Sequence, residues 1–324
     1  MSRRIVSILI RAITTLLMVA VLNFVLFRVI PGDPASLLLG GARTSATAEQ
    51  MEAQRQNWGL DRPLFPDQVL DYLSATFQGD FGYSFKFRGR HVADLILERL
   101  PATIALVGLA QFVAILCGVM LGLYAGWRRG GVGDNVATGA SLALYSTPAF
   151  WLGMILVVIF STALGWLPGY GAHSPGAITG SLDWVLDYLR HLALPVTAVA
   201  LGLIGQYVVV ARAAMSDVVT EDYMVTARAK GLTGRQMLMR HAFRNAMLPV
   251  VTLITLNLGY VVAGAITVEA VFASPGIGGL TVEALNARDY PVLQGIFLLL
   301  GASIVLANLV ADLAYGVLDP RVRQ

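Results

Sequence analysis

Charge is scarce in this chain, and the shortage excludes an ordinary soluble protein. Only 13% of the 324 residues are Asp, Glu, Lys or Arg, whereas 56% are hydrophobic. Soluble domains carry about 25% charged residues. Together with a mean hydropathy of +0.68, this indicates a protein with several membrane spans. The net charge is only +3, so the basic pI reflects where the cations lie and does not point to a nucleic-acid partner.

The residue patterns of common enzymes and metal sites are missing as well. The single cysteine, Cys117, excludes an intramolecular disulfide, and its apolar neighbours predict a small buried side chain. The four histidines are scattered, and no Cys/His spacing indicates a metal site. There is no phosphate-binding loop of the form G-x-x-x-x-G-K-[ST], no nucleophile elbow and no zinc-protease motif. The sequence therefore predicts no catalytic residues, no metal site and no cofactor bound by this chain.

Long apolar runs are what the sequence has instead. A helix needs about 20 mostly apolar residues to cross a membrane, and six stretches qualify: Val6–Ile30, Pro101–Trp127, Asn135–Leu164, Leu194–Ala214, Met247–Phe272 and Pro291–Leu318. The first is longer than a signal-peptide core and is expected to remain as an anchor. Four of the spans begin beside a proline (Pro101, Pro195, Pro249 and Pro291), which suits the first turn of a helix. Pro148 lies within the third span and predicts a kink there.

The placement of Lys and Arg predicts the orientation of the spans. The cations concentrate near the N-terminus, at Arg128-Arg129, in segment 215–246 and at the C-terminus. We therefore expect both termini and segment 215–246 to be cytoplasmic. This divides the chain into a first span (1–30), an external segment (31–100), a five-helix core (101–318) and a cytoplasmic tail (319–324).

The external segment and the last external loop carry local signals of their own. Thr47 opens a capping box for a helix that ends near Gly59, and a second short helix is expected between Leu64 and Phe77. Whether this segment caps a pathway, docks a partner or only packs against the spans stays open. In the last external loop, Pro275, Gly276 and Gly278 allow a tight backbone excursion toward the bundle.

Polar residues inside spans are costly and often functional. Gln111, Gln206, Asn257 and Asn308 lie within the predicted spans. They either line a polar passage or join helices to one another, and the sequence favours neither interpretation. Buried carboxylates are too few to favour an ion-coupled secondary transporter, which remains the alternative function. A receptor or scaffold in the membrane is a further alternative.

The basic segment 215–246 is the most informative part of the chain. Gly231 disfavours one continuous helix and is better placed between two short helices. Ala227 and Gly231 are four residues apart, which would put both small residues on one helix face able to enter a groove of a partner. Arg228 and Lys230, with Arg235 and Arg240, would supply ionic contacts. A basic helix lying on anionic lipid explains the residues equally well.

The segment resembles the coupling loop of ABC importer permeases, whose general pattern is Glu-Ala-Ala, three residues, Gly, nine residues, then Ile-x-Leu-Pro. Aligned on Gly231, the chain has Val225-Thr226-Ala227 in place of Glu-Ala-Ala, and His241, Phe243 and Arg244 at the Ile, Leu and Pro positions. These departures are similar to the dipeptide/oligopeptide branch of the family. Further matching motifs are Pro31-Gly32-Asp33-Pro34, Ser146-Thr147-Pro148, Glu269 to Gly278, Arg288 to Val292 and Asn308 to Arg321.

The resemblance implies an all-α membrane protein with the type I ABC importer permease fold, in a bacterial inner membrane. Such a chain forms half of a translocation pore with a second homologous permease subunit. Two cytoplasmic subunits bind ATP and Mg²⁺ and supply the energy, and an extracytoplasmic binding protein delivers a dipeptide or oligopeptide; glutathione and nickel are other cargoes of the family. The implied ATPase-coupling residues are Asp222, Tyr223, Thr226, Ala227, Arg228, Ala229, Lys230, Gly231, Leu232, Arg240, His241 and Asn245.

Overall fold

A computed structural model describes residues 2–29, 63–87, 89–176, 178–258, 261 and 265–318. Within these residues the chain is almost entirely helical, and its β-structure is one isolated antiparallel bridge between Tyr83 and His91. An all-helical fold suits a membrane-embedded chain, because a helix satisfies its backbone hydrogen bonds internally.

The helices are, in chain order, α1 (Ser2–Phe24), α2 (Val69–Phe77), α3 (Val92–Trp127), α4 (Val132–Ser146), α5 (Ala149–Leu156), α6 (Leu182–Val219), α7 (Asp222–Ala229), α8 (Gly234–Met237), α9 (Phe243–Leu258), α10 (Ile266–Val271), α11 (Ile277–Ala287) and α12 (Tyr290–Leu318). Wider π-helical turns extend α1 to Val29 and α5 to Ala163, and join α8 to α9 through Leu238–Ala242.

Four helical segments are long and apolar enough to span a membrane: Val6–Phe27, Val92–Trp127, Leu182–Val219 and Tyr290–Val310. A fifth span is possible if the pair Val132–Ser146 and Ala149–Ala163, bent by 99°, crosses as one unit. The bend lies at Pro148, where the sequence predicts a kink. The predicted span Met247–Phe272 is represented by α9 and α10, and part of the chain between them lies outside the described residues.

The prediction that four spans begin at their prolines is wrong for three of them. Pro101, Pro195 and Pro249 lie inside α3, α6 and α9. Pro291, the second residue of α12, does lie in a first turn. The helices start earlier because their polar flanks continue the helix outside the apolar run, and a bundle can satisfy the carbonyl that a proline leaves unbonded.

Close helix packing joins α3 to α6. Gly118, Gly122 and Gly126 repeat at every fourth position of α3, which places them on one face. An ideal Cβ at Gly122 would lie 2.5 Å from the Val208 carbonyl oxygen, and one at Gly126 would lie 2.6 Å from that of Arg212. The two helices therefore touch through their backbones, as small residues at every fourth position allow in membranes.

Cys117 lies next to the first of these glycines and is exposed, so the expectation of a buried thiol is wrong. In a membrane helix an apolar neighbourhood does not distinguish a residue that faces the bundle from one that faces outward. At Cys117 the neighbouring glycine takes the face that packs against α6.

In segment 31–100, the described residues from 63 onward form the helix and the turns that the sequence indicates. The short helix predicted between Leu64 and Phe77 is present as α2, and Gly79 and Gly82 form turns with φ of +74° and +75°. Tyr72 of α2 packs against Phe24 of α1, with ring centroids 5.3 Å apart. The capping-box helix expected from Thr47 to Gly59 lies outside the described residues.

Candidate functional site

Segment 215–246 forms a helix pair that leaves the bundle at the end of α6. Helix α7 ends at Ala229, and Gly231 follows with φ of +76°. Helix α8 then begins with a capping box: the Thr233 N–H donates to Gln236 Oε1 at 2.9 Å, and the Gln236 N–H donates to Thr233 Oγ1 at 3.4 Å. The prediction that Gly231 lies between two short helices is therefore confirmed, since its left-handed backbone favours glycine.

The predicted shared face of Ala227 and Gly231 is wrong. Ala227 is 5% exposed and packs into the chain's own core. Gly231 is exposed, and an ideal Cβ there would meet nothing within 4 Å. The helix ends before Gly231, so the spacing of four residues no longer places the two residues on one side.

Buried residues fix the helix pair to the spans. Met224 and Ala227 of α7 and Met237 of α8 belong to the same core cluster as Met215 of α6. The ring of Trp127, at the end of α3, lies 3.9 Å from an ideal Cβ at Gly234. The pair therefore rests on the joined ends of α3 and α6.

Polar contacts fix the pair to α9 as well. Asn245 Nδ2 donates to the Tyr223 hydroxyl at 3.0 Å and to the His241 carbonyl oxygen at 3.1 Å. Leu232 is half-buried against the main core. Tyr223, Ala227, Leu232 and Asn245 thus make contacts within the chain that hold the pair in place.

The other predicted coupling residues lie on the outward surface of the pair. This surface is strongly basic and includes the small residues beside Gly231. Its exposed members are Asp222, Thr226, Arg228, Ala229, Lys230, Gly231, Arg235 and Arg240, and His241 is half-buried. An exposed basic surface of this kind can bind an acidic partner surface or anionic lipid.

An ion pair that the sequence analysis missed lies beside this helix pair. The carboxylate of Asp134, at the start of α4, is fully buried. It accepts from Arg212 of α6 at both Nε and Nη2, the latter at 2.8 Å, and from the Gly130 N–H at 2.9 Å. This bidentate contact joins α4 to α6 two turns before α6 leads into α7.

Two of the four predicted pathway residues meet at one buried hydroxyl. Gln111 of α3 and Asn257 of α9 both donate to the Tyr207 hydroxyl of α6, the latter at 2.9 Å. Tyr207 is fully buried, so these amides join three helices. Gln206 is half-buried and Asn308 is exposed, and the structure does not bring either of them to this cluster. A role in lining a pathway remains a prediction for all four.

At the opposite end of the bundle, a second buried carboxylate organises the last predicted loop. Glu269 of α10 is fully buried. Its Oε1 accepts from the Thr103 hydroxyl of α3 at 2.8 Å, and its Oε2 accepts from the Gly278 and Gly279 N–H groups at 2.7 and 3.3 Å. Thr103 Oγ1 in turn accepts from the Ile277 N–H at 2.8 Å. The start of α11 is thereby bound to both α10 and α3.

Gly276 and Gly278, which the sequence predicts to allow a close backbone approach, do lie close to neighbouring atoms. An ideal Cβ at Gly276 would lie 2.2 Å from Glu269 Oε2, and one at Gly278 would lie 2.6 Å from the Ile266 Cα. Pro275 precedes them and is half-buried. Any side chain at Gly276 would displace the carboxylate, so the loop sequence and the buried acid require each other.

A third buried carboxylate ties the external segment to α12. Asp289 Oδ2 accepts from the Ser84 hydroxyl and from the Lys86 N–H, the latter at 2.9 Å, and Oδ1 accepts from the Val292 N–H at 3.4 Å.

In the part of the chain that the structure describes, no group of three or more His, Cys, Asp or Glu residues is placed to hold a metal ion.

Comparison with known proteins gives matches along the whole chain. The family model of the binding-protein-dependent transport system inner membrane component matches residues 118–324, and the model of its N-terminal part matches residues 1–107. A putative peptide permease protein of Brucella ovis is 39% identical over 95% of both chains. The di/tripeptide transport system permease protein of Pseudomonas aeruginosa is 38% identical over 96% of both chains. The glutathione transport system permease protein of Escherichia coli is 39% identical over 96% of this chain and 95% of that protein.

Proposed function

The chain belongs to the family of binding-protein-dependent transport system inner membrane components, and on this premise we propose that it is the permease subunit of an ATP-driven peptide importer. The observation that carries the proposal is near-complete alignment with relatives named for peptide, di/tripeptide and glutathione transport. Glutathione is itself a tripeptide, so these names describe one class of cargo. The family match favours this function over an ion-coupled secondary transporter.

We place six spans in the bacterial inner membrane, with both termini and the pair α7–α8 in the cytoplasm. The four long apolar segments and the bent pair α4–α5 supply five spans, and α9 with α10 supplies the remaining one. The type I importer permease fold is the arrangement that the family implies for this number. An even number of crossings returns the chain to the side that holds its basic residues.

In this function the chain works with partners that supply energy and cargo. A second homologous permease subunit completes the pore, two cytoplasmic subunits bind ATP and Mg²⁺, and an extracytoplasmic binding protein delivers the peptide. No residue of this chain carries out catalysis in this scheme. The outward basic surface of α7–α8 is the contact with the ATP-binding subunits.

The contacts within the chain explain how such a contact transmits movement. Met224, Ala227 and Met237 attach the helix pair to α6, and α6 is packed backbone to backbone against α3. A displacement of the pair therefore moves α3 and α6 together. To reverse a two-state preference from 1:99 to 99:1, about 5.5 kcal/mol of differential binding must pass through this contact.

The surface is tested by introducing charge at Gly231. Gly231→Glu places an anion among Arg228 and Lys230, and we expect uptake and substrate-stimulated ATP hydrolysis both to fall in reconstituted vesicles. Gly231→Lys is the matched control, because it adds a side chain of similar length at the same left-handed backbone position. It leaves the surface positively charged. If Gly231→Glu retains normal uptake and normal stimulation of ATP hydrolysis, the surface is not the coupling contact.

The class of cargo is tested on the partner binding protein. Calorimetric titration with a set of di- to pentapeptides, glutathione and Ni²⁺ separates the family's cargoes. Binding of peptides, with no binding of Ni²⁺ alone, is the expected result. Binding of Ni²⁺ without any peptide would contradict the proposed cargo while leaving the permease role intact.

A further inference from the structure

The hydrogen bonds around Glu269 join parts of the chain that lie far apart in sequence. Glu269 and Thr103 are separated by 166 positions, yet both are fully buried. The Gly278 N–H donates to Glu269 Oε2 at 2.7 Å, and the Ile277 N–H donates to Thr103 Oγ1 at 2.8 Å. The start of α11 is thus held by one side chain from α10 and one from α3.

The bonds fix the relative position of these elements closely. Backbone N–H donors cannot reorient without moving their helix, and Gly276 and Gly278 leave no space for the carboxylate to shift. No Lys or Arg within the described ranges forms an ion pair with Glu269, so directional bonds hold this acid. At the end of α10, the Phe272 ring packs against Gly153 of α5, and the Phe272 carbonyl oxygen accepts from the Gly171 N–H at 2.8 Å.

Helix α3 carries this junction to the other end of the molecule. Thr103 lies about three turns after the start of α3 and Trp127 lies at its end, and the two are about 36 Å apart along the axis at 1.5 Å per residue. Trp127 lies beside α8, and Gly126 packs directly on Arg212 and Met215 of α6. One continuous helix therefore runs from the hairpin α10–α11 to the helix pair α7–α8.

We propose that Glu269 and Thr103 are positioning residues that bind the hairpin α10–α11 to α3, so that the hairpin moves with α3 as one body during transport. The inference rests on the proposed function, since it describes how ATP-driven movement of α7–α8 is transmitted through α3 to α10 and α11. The hairpin would follow the displacement of α7–α8 without contacting the ATP-binding subunits. Loss of the hydrogen bonds at Glu269 and Thr103 would let ATP hydrolysis continue, but the external end of the pathway would no longer move with α3.

The test measures a distance across the junction. Leu97 on α3 and Leu285 on α11 are 65% and 64% exposed, so spin labels can be attached to cysteines at both sites in a Cys117→Ser background. In the assembled transporter, we expect the distance distribution to be the same without nucleotide and after trapping with ATP and vanadate. With Thr103→Val, which removes the hydroxyl at nearly constant volume, the distribution should broaden or shift on trapping.

Activity provides the second measurement. Thr103→Val should lower peptide uptake per ATP hydrolysed by about tenfold, within the usual range for a coupling free energy, whereas Thr103→Ser keeps the hydroxyl and should restore it. Glu269→Gln, which keeps the shape but loses one acceptor, should lie between them. Asn286→Gln is the control on α11, because Asn286 is exposed, and it should leave the ratio unchanged.

The outcomes separate this inference from the proposed function. If the unmutated transporter shows ATP-dependent uptake but its label distance changes on trapping, the hairpin does not move with α3 and the inference is overturned. A normal uptake ratio in Thr103→Val overturns it as well. If the unmutated chain shows no ATP-dependent uptake with its partners, the proposed function fails first. Should Thr103→Val fail to fold, the distance in the unmutated transporter and the ratio in Glu269→Gln still decide.

Discussion

At the end of the bundle that carries α7 and α8, the buried carboxylate of Asp134 is bound by the guanidinium of Arg212. At the opposite end, the carboxylate of Glu269 is bound by a hydroxyl and two backbone N–H groups. An arginine side chain has several rotatable bonds and can keep its contact while helices shift slightly. Backbone donors move only with their helix. The contact of α4 with α6 is therefore adjustable, whereas the contact of α11 with α10 and α3 is fixed.

The largest effect on stability is expected at the contact of α3 with α6, because these two helices connect the two ends of the bundle. Gly122→Ala places a Cβ 2.5 Å from the Val208 carbonyl oxygen, and such overpacking costs about 1–3 kcal/mol. We expect a lower thermal unfolding midpoint in detergent and less protein in the membrane. A midpoint equal to that of the unmutated chain would show that α3 and α6 can separate without cost.

The same substitution at Gly139 is the control for this prediction. Gly139 lies in α4, and an ideal Cβ there meets nothing within 4 Å. Gly139→Ala should therefore be neutral or stabilise the helix by about 0.5–1 kcal/mol. Loss of stability in both variants would mean that a methyl group is harmful even where it meets no neighbouring atom, so the close contact at Gly122 would not explain the result.

A smaller effect is expected at the adjustable end, and it should be reversible. Arg212→Gln leaves the buried Asp134 carboxylate without its cation, which is more harmful than removing both charges. We expect the single variant to unfold at a lower temperature, and Asp134→Asn/Arg212→Gln to recover most of the loss. A double-mutant cycle on the unfolding midpoints measures the coupling. Strict additivity of the two changes would show that the pair contributes nothing.

The smallest effect is expected where the external segment meets α12. Ser84→Ala removes the hydroxyl that donates to Asp289 and accepts from the Phe87 N–H at 2.8 Å, and a typical bond of this kind contributes about 1 kcal/mol. Hydrogen exchange of residues 84–87 should accelerate while α3 and α6 stay protected. Lys86→Gln keeps the Ser84 hydroxyl and removes the partly exposed ion pair with Glu283 and the contact of the ammonium with the Phe87 ring, and it should leave that exchange unchanged. Equal acceleration in both variants would contradict the assigned role of Ser84.

Local features of this fold were predictable from the sequence because they depend on neighbouring residues. Apolar length predicted most of the spans, Pro148 predicted the bend between α4 and α5, and Gly231 predicted the break between α7 and α8. The same local reasoning was wrong for Pro101, because hydropathy marks the apolar part of a helix and not its polar extension. It was also wrong for Ala227, whose partner is the chain's own core.

The contacts that depend on distant residues were not predictable in this way. Arg212 and Asp134 are 78 positions apart, and nothing in the residues near Asp134 identifies a cation as its partner. From the sequence, Glu269 was only the first residue of a motif shared with the family, and no partner was predicted for it. The glycines of α3 are different, since their spacing of four is visible in the sequence and is a known signal for close helix contact in membranes.

A contact made by main-chain atoms leaves the identity of most side chains free. Gly118, Gly122 and Gly126 bring α3 against α6 with hardly any side chain between them, so the residues on the remaining faces of these helices can change without disturbing how the two helices fit. Descendants of one ancestral permease can thus acquire a differently shaped passage, suited to a new cargo, while they inherit the same mechanical frame.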